Sequence, residues 1–343
     1  MNRSLTLEEI AKLSGVSRST VSRVVNGHPN VRAQVRERVW TVIHETGYQP
    51  HAAARSLVTH RTGILGVIIP EAVTTLFTDP FFPHLLCGIT KTCNSHQYHL
   101  LLSLFNDPAG QEEMYRRVVH SGHLDGVLVA STRVDDPLIG RLLEDHVPFV
   151  MVGRHPDNRV CYVDVDNAAA ARMAVEHLIR LGHRRLGIIT GPRSMTHVQD
   201  RLQGYRQALE AHRLPVDEAL IGEGDYSEMS GTVGARQLLS HSATAIFSTS
   251  AMVAVGVLKA VREAGLRVPQ DVAVVGFDDV PITSAVEPAL TTVRQPIEDM
   301  GSMAAELLLN LLKSPQDEQR PAHRIILPAQ LVVRDSCGAL HGK

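Results

Sequence analysis

Along the first 47 residues the apolar positions recur at helical spacing three times over. Leu7, Ile10 and Ala11 fall at i, i+3 and i+4, which predicts a short helix with one apolar face. Thr6 followed three residues on by Glu9 is a capping-box start, and Gly15-Val16 ends the helix after barely two turns. Ser17 can cap a second helix whose apolar residues are Val21, Val24 and Val25, with Asn26-Gly27 as its stop. Two short helices joined by a tight glycine turn make a helix-turn-helix. Val31, Val35, Val39 and Ile43 then repeat every fourth residue, predicting a third helix over 31–46 that Gly47 closes.

The segment 48–57, Tyr-Gln-Pro-His-Ala-Ala-Ala-Arg-Ser-Leu, is helical only for about two turns, too short to hold in water alone. It reads either as a linker that folds when something supports it or as an ordinary connecting helix. From Thr62 the period changes to short apolar runs alternating with helical patterns. Strands are expected over 64–69, 99–104, 126–130 and 149–152, with helices over 82–96 and 110–122. A second series starts with a strand at 161–165 and a helix at 168–181, then strands at 186–190, 245–248 and 272–276. Two successive β-α runs predict two doubly wound parallel sheets, with a ligand cleft beyond their C-terminal strand ends.

At 343 residues, 44% hydrophobic and 20% charged, the chain reads as globular with room for two or three domains. Its net charge of -2 hides an asymmetry: residues 1–61 carry nine Lys/Arg against four Asp/Glu, so the remainder is acidic. A basic head on an acidic body suits phosphate contact at one end. Cys87, Cys93, Cys161 and Cys337 form no Cys-x-x-Cys pair and read as free thiols in a reducing compartment. The N-terminus has no apolar signal region and no apolar run reaches membrane-spanning length, so no membrane partner and a cytoplasmic location are expected.

Motifs for other chemistry are missing. Gly222-Glu-Gly-Asp-Tyr-Ser lacks the third glycine of a dinucleotide fingerprint, and neither a phosphate-binding loop nor a Gly-x-Ser-x-Gly turn occurs. The 18 histidines are scattered; His177, His183 and His241 read as surface or helix-end residues rather than metal ligands. No catalysis, metal or cofactor is expected. The outer face of the second helix instead carries Arg18, Ser19, Ser22 and Arg23, which can reach base edges or phosphates in a major groove. A surface hairpin with solvated arginines is the alternative.

Taken together, the head, the two-turn linker and the double α/β body resemble the lactose-repressor (LacI/GalR) family of bacterial transcription regulators over essentially the whole chain. The head carries Ala11-x-x-Ser-Gly-Val-Ser-x-x-Thr-Val-Ser-Arg-Val-x-Asn26, and the linker Tyr48-x-Pro50 with Ala54-Arg-Ser-Leu57. In the body, Gly182-His-Arg-Arg-Leu-Gly-Ile-Ile-x-Gly-Pro192, Gly276-Phe-Asp-Asp279 and Pro288-x-Leu-Thr-Thr292 match. The resemblance implies an all-α DNA-binding head (1–47), a hinge helix or linker (48–61) and a periplasmic-binding-protein-like α/β core (62–338). The core's first subdomain is expected at 62–162 plus 292–324, and its second at 163–291 plus 325–338, including one C-terminal strand around 325–333.

It also implies a homodimer on near-palindromic operator DNA, since no heptad repeat follows residue 334 to build a tetramer. Arg18, Ser19 and Arg23 would read the half-site, while Thr20, Ser22 and Asn26 serve phosphates and the turn, with Thr6, Ser17 and Tyr48 also on the DNA side. Leu57 would wedge into the minor groove beside Ala54 and Arg55. In the cleft, Asp278 and Arg201 would grip the effector, Tyr226 would lie against its ring, and Phe81 and Phe82 would close the first-subdomain side. Thr249 and Gln295 would hydrogen-bond it.

Two departures stand out. Ser250 replaces an aspartate common in the family, keeping a helix cap but losing a carboxylate, and Arg32 and Val35 replace hydroxyl residues, with Asn30 a candidate cap in their place. Val152-Gly-Arg154 and Tyr162-Val-Asp-Val-Asp166-Asn167 look like members answering to maltose-type sugars, which adds Arg154 to the site. The expected function is a repressor of carbohydrate genes, acting on the nucleoid, whose operator affinity a sugar controls. A purine or a phosphoprotein corepressor is the alternative within the family. A sugar-binding transport receptor would share the core without the basic head, and a sugar-active enzyme would need a paired-carboxylate signature that the chain lacks.

Overall fold

The first helix begins where its cap sits. In the computed structural model, which describes residues 5–25, 28–48, 61–69, 73–105, 107–130, 133, 136–313 and 321–339, Thr6 caps helix α1 (Leu7–Ser14) with a complete capping box. Helix α2 spans Arg18–Val25 and α3 spans Ala33–Thr46. Ile10, Val21, Val24, Val39 and Ile43 close a three-helix core. Helix α3 starts two residues later than the apolar stripe predicts, at an Arg32 cap with no side-chain bond. Asn30 does not take that cap; its own N–H is used on His28 Nδ1, 3.4 Å away.

Residues 1–63 and 64–343 are separate compact units. In the second, two six-stranded sheets form among the described residues. The first contains β1 (Ile64–Ile69), β2 (His99–Leu104), β3 (Gly126–Ala130), β4 (Phe149–Val152), β5 (Tyr162–Val165) and β11 (Arg324–Leu327). Its strands lie parallel in the order β11-β5-β4-β3-β1-β2. The second holds β6 (Leu186–Thr190), β7 (Ile221–Glu223), β8 (Ala245–Ser248), β9 (Ala273–Phe277), β10 (Thr291–Arg294) and β12 (Gln330–Val332). Its order is β12-β10-β9-β8-β6-β7, with only β12 antiparallel. Six central strands, β3, β4, β5, β6, β8 and β9, are buried end to end, as parallel strands covered on both faces must be.

The subdomain boundaries differ from those the sequence suggests. Strand β5 pairs with β4 and so belongs to the first sheet rather than opening the second, while β10 pairs with β9 in the second. The expected C-terminal strand is two: β11 joins the first sheet and β12 the second, broken at Pro328-Ala329 where proline has no N–H for a ladder. An apolar strand pattern reports burial but not which sheet provides it. The Ile297–Lys313 helix returns to the first lobe, where Gly301 and Gly88 let it press against the Phe81–Ser95 helix. A Cβ at Gly88 would sit 1.9 Å from Glu298 O. The chain therefore crosses between lobes three times, after β5, after β10 and after β11.

Candidate functional site

In the head, Ser17 Oγ accepts from Thr20 N at 3.2 Å and lies 2.8 Å from both Ser19 Oγ and Thr20 Oγ1. This serine cluster starts α2 and spends Ser17 and Thr20 on the turn. Burial of Val21 and Val24 turns Arg18, Ser19 and Arg23 outward, all exposed. The Arg18 side chain is 71% exposed and only loosely paired with Glu8, 3.4 Å away. Thr6 is committed to its capping box. Tyr48 departs from its expected place on the DNA side: its side chain belongs to the head core, and burial pushes its phenol pKa up. Asn26, Ala54, Arg55 and Leu57, and with them most of the expected hinge, lie outside the described residues.

A cavity of about 230 Å³ lies between the lobes of the second unit. Its walls come from segments that follow the C-terminal ends of strands in both sheets, the positions that doubly wound topology reserves for ligands. Asp278 follows β9 at φ +67°, a left-handed backbone that aims its carboxylate inward. Gln295 Nε2 donates to its Oδ1, and burial pushes its pKa up. Arg201 is 5% exposed: Nε donates to Asn167 Oδ1 at 2.9 Å, Nη1 donates to Thr249 O at 2.7 Å, and its guanidinium stacks 3.6 Å from the Phe277 ring centroid.

Asn167 Nδ2 in turn donates to Asp164 Oδ1 at 3.0 Å, and Arg154 N donates to Asp164 Oδ2 at 2.8 Å. Burial outweighs those bonds and pushes Asp164 up to about 6. On the opposite wall His197 and Tyr226 stack with ring centroids 6.0 Å apart, His197 Nε2 lying 2.7 Å from Tyr226 Oη. Burial, then the Arg201 charge, push His197 down to about 3, so it is neutral at physiological pH. Tyr226 adopts φ +67° and lies over Gly191, where a Cβ would meet its ring at 2.1 Å. Phe81 and Phe82, edge to face at 5.4 Å, close the first-lobe side.

Of the effector residues expected from the sequence, Phe81, Phe82, Arg201, Tyr226, Asp278 and Gln295 line this cavity. Arg154 and Thr249 do not. The Arg154 side chain forks onto Asp200, and Thr249 Oγ1 is turned away to Ile189 O at 3.1 Å, leaving only its carbonyl to hold Arg201. Ser250 caps the Ala251–Glu263 helix and also borders the cavity. Asp79, Asp164, Asn167, His197 and Asp225 line it without having been singled out as ligand residues. Asp164 did leave a signal, a lone carboxylate inside the buried run Tyr-Val-Asp-Val. Among the described residues no His, Cys, Asp or Glu cluster is placed to hold a metal, and no helix is long and apolar enough to cross a membrane.

Residues 6–51 match the model of bacterial regulatory proteins of the lacI family, and residues 175–337 match that of a periplasmic binding protein-like domain. The HTH-type transcriptional regulator CelR of Thermobifida fusca is 39% identical over 336 residues, covering 96% of this chain and 98% of that protein. This chain belongs to the lacI family. As a lacI-family member it is a DNA-binding transcription regulator and not an enzyme. The ribose operon repressor of Escherichia coli K12 is 33% identical, covering 92% of this chain and 95% of its own. Among solved structures, the CelR–cellobiose complex has TM-score 0.77 at 37% identity, covering 97% and 99% of the two chains. The lac repressor dimer bound to operator and an anti-inducer has TM-score 0.85 at 26% identity, covering 98% and 99%.

Proposed function

We propose that this lacI-family regulator represses carbohydrate-utilisation genes as a homodimer on a near-palindromic operator, and that a cellobiose-like disaccharide in the cleft controls its operator affinity. The observation that carries the sugar reading is the chemistry of the cavity wall. Asp79, Asp164, Asp225 and Asp278 with Asn167 and Gln295 offer acceptors for ligand hydroxyls, against the single guanidinium of Arg201. The Tyr226–His197 stack and the Phe81–Phe82 pair offer apolar faces for a pyranose ring. Four carboxylates facing one arginine disfavour a phosphorylated ligand. Support also comes from CelR, whose solved complex holds cellobiose.

On the DNA side, Arg18, Ser19 and Arg23 make the base contacts. Phosphate and turn contacts go to Thr20, Ser22 and Asn26, and the minor-groove wedge to Leu57 beside Ala54 and Arg55. The protein then works in the cytoplasm, on the nucleoid. Operator binding by fluorescence anisotropy, with and without cellobiose and with ribose, a purine base and glucose 6-phosphate as comparators, tests it. Cellobiose should change operator affinity and the comparators should not. An operator response to the purine or the sugar phosphate alone would sink the sugar reading.

A further inference from the structure

Arg154 and Asp200 stand outside the cavity, yet they join its two walls. Arg154 follows β4 on the first lobe, whereas Asp200 is on the Thr196–Ala211 helix of the second. Arg154 Nε donates to Asp200 Oδ2 at 2.6 Å and Nη2 donates to Oδ1 at 2.5 Å, the two parallel bonds of a guanidinium fork. The Asp200 side chain is 10% exposed and that of Arg154 40%, so the carboxylate end of the pair is shielded from solvent while the guanidinium is partly open to it.

The pair also closes a ring. Arg154 N holds Asp164, Asp164 accepts from Asn167, Asn167 accepts from Arg201, and Arg201 is the next residue after Asp200. Three of the five members, Asp164, Asn167 and Arg201, line the cavity, and the other two clasp the lobes. Any movement of the lobes apart would have to break the Arg154–Asp200 fork, and with it the ring that ties Asp164, Asn167 and Arg201 together. Among the described residues the lobes also meet at a backbone bridge between Arg133 and the cavity-lining Met195, and Ala251 and Val280 of the second lobe pack into the first lobe's core cluster.

We infer that the Arg154–Asp200 pair is a positioning latch: it holds the cleft closed and fixes Arg201, and so sets ligand affinity without touching the ligand. The inference rests on the proposed sugar site and extends it to residues beyond the cavity wall. The test uses the full chain and its Arg154→Ala, Asp200→Ala and charge-reversed R154D/D200R variants. Cellobiose affinity is read by calorimetry and the ligand-free radius of gyration by X-ray scattering. Each single variant should weaken cellobiose about tenfold, because the fork that ties the two lobes is lost, and should enlarge the ligand-free radius. The reversed pair should recover most of both losses.

Single variants that match the wild type in both readouts would overturn the latch. So would a reversed pair no better than the singles although it melts like the wild type. Should the reversed pair fail to fold, Arg154→Lys replaces it: a lysine keeps the charge but not the fork, so an intermediate affinity is expected, and one equal to Arg154→Ala counts against the latch. If the wild type takes up no cellobiose, the sugar reading falls, and the scattering comparison, which needs no ligand, decides the latch alone.

Discussion

Two residues of the cleft show how local geometry sets binding. Tyr226 can lie against His197 only because residue 191 has no side chain. Gly191→Ala should swing the Tyr226 ring away at a stability cost of about 1 kcal/mol or less, since the ring can move toward solvent, while sugar affinity falls at least tenfold. Calorimetric titration beside a melting curve separates the two effects, and unchanged affinity would remove Tyr226 from the site. Asp164 makes a different prediction. Its folded-state pKa of about 6 stands above its ordinary value of 3.8 because burial penalises the charge. Between those values the folded chain holds a proton that the unfolded chain has lost. This group's contribution to stability therefore falls as pH rises through that window and levels off above it. Carboxyl carbon NMR should show a midpoint near pH 6 for Asp164, and a midpoint below 4 would refute the buried environment.

The helices and strands divide into those whose cause is local and those whose cause is not. Helix α1 was legible because Thr6 and Glu9 carry the capping box within four residues, and α2 because Ser17 precedes a valine stripe. Ser17→Ala should cost the head about 1 kcal/mol, read from its melting, because the acceptor for Thr20 N is lost. Arg23→Ala should weaken operator binding and relax the sequence preference at one position while leaving the log–log salt slope nearly unchanged, as expected for a base contact; uniform weakening with a slope lowered by about one would assign Arg23 to a phosphate instead. Strands β5, β10 and β11 were not assignable, since their side chains encode burial and the partner strand lies more than a hundred residues away or in a pattern shared by both sheets. Arg154 and Thr249 failed for a related reason. A motif can place a residue beside the cleft, but only the packed lobes decide whether its side chain turns toward the cavity, toward Asp200 or toward Ile189.

At the scale of the molecule, the head and the two-lobed unit are separate. Cellobiose at about a hundred times its dissociation constant should stabilise the unit that holds the cleft by roughly 2.7 kcal/mol and leave the head untouched. Scanning calorimetry should therefore show one transition moving and another staying, and a common shift of both would mean that the units unfold together. The three crossings between lobes carry a further consequence, for biosynthesis. Strand β11, which ends the first sheet, is translated after nearly all of the second, and β12 follows it. At about 5–20 residues per second, the head has emerged roughly 15–50 s before either sheet has its last strand. A ribosome-arrested chain ending before β11 should carry a protease-resistant head on two protease-sensitive lobes: the part that faces DNA is finished while the part that senses is still being made.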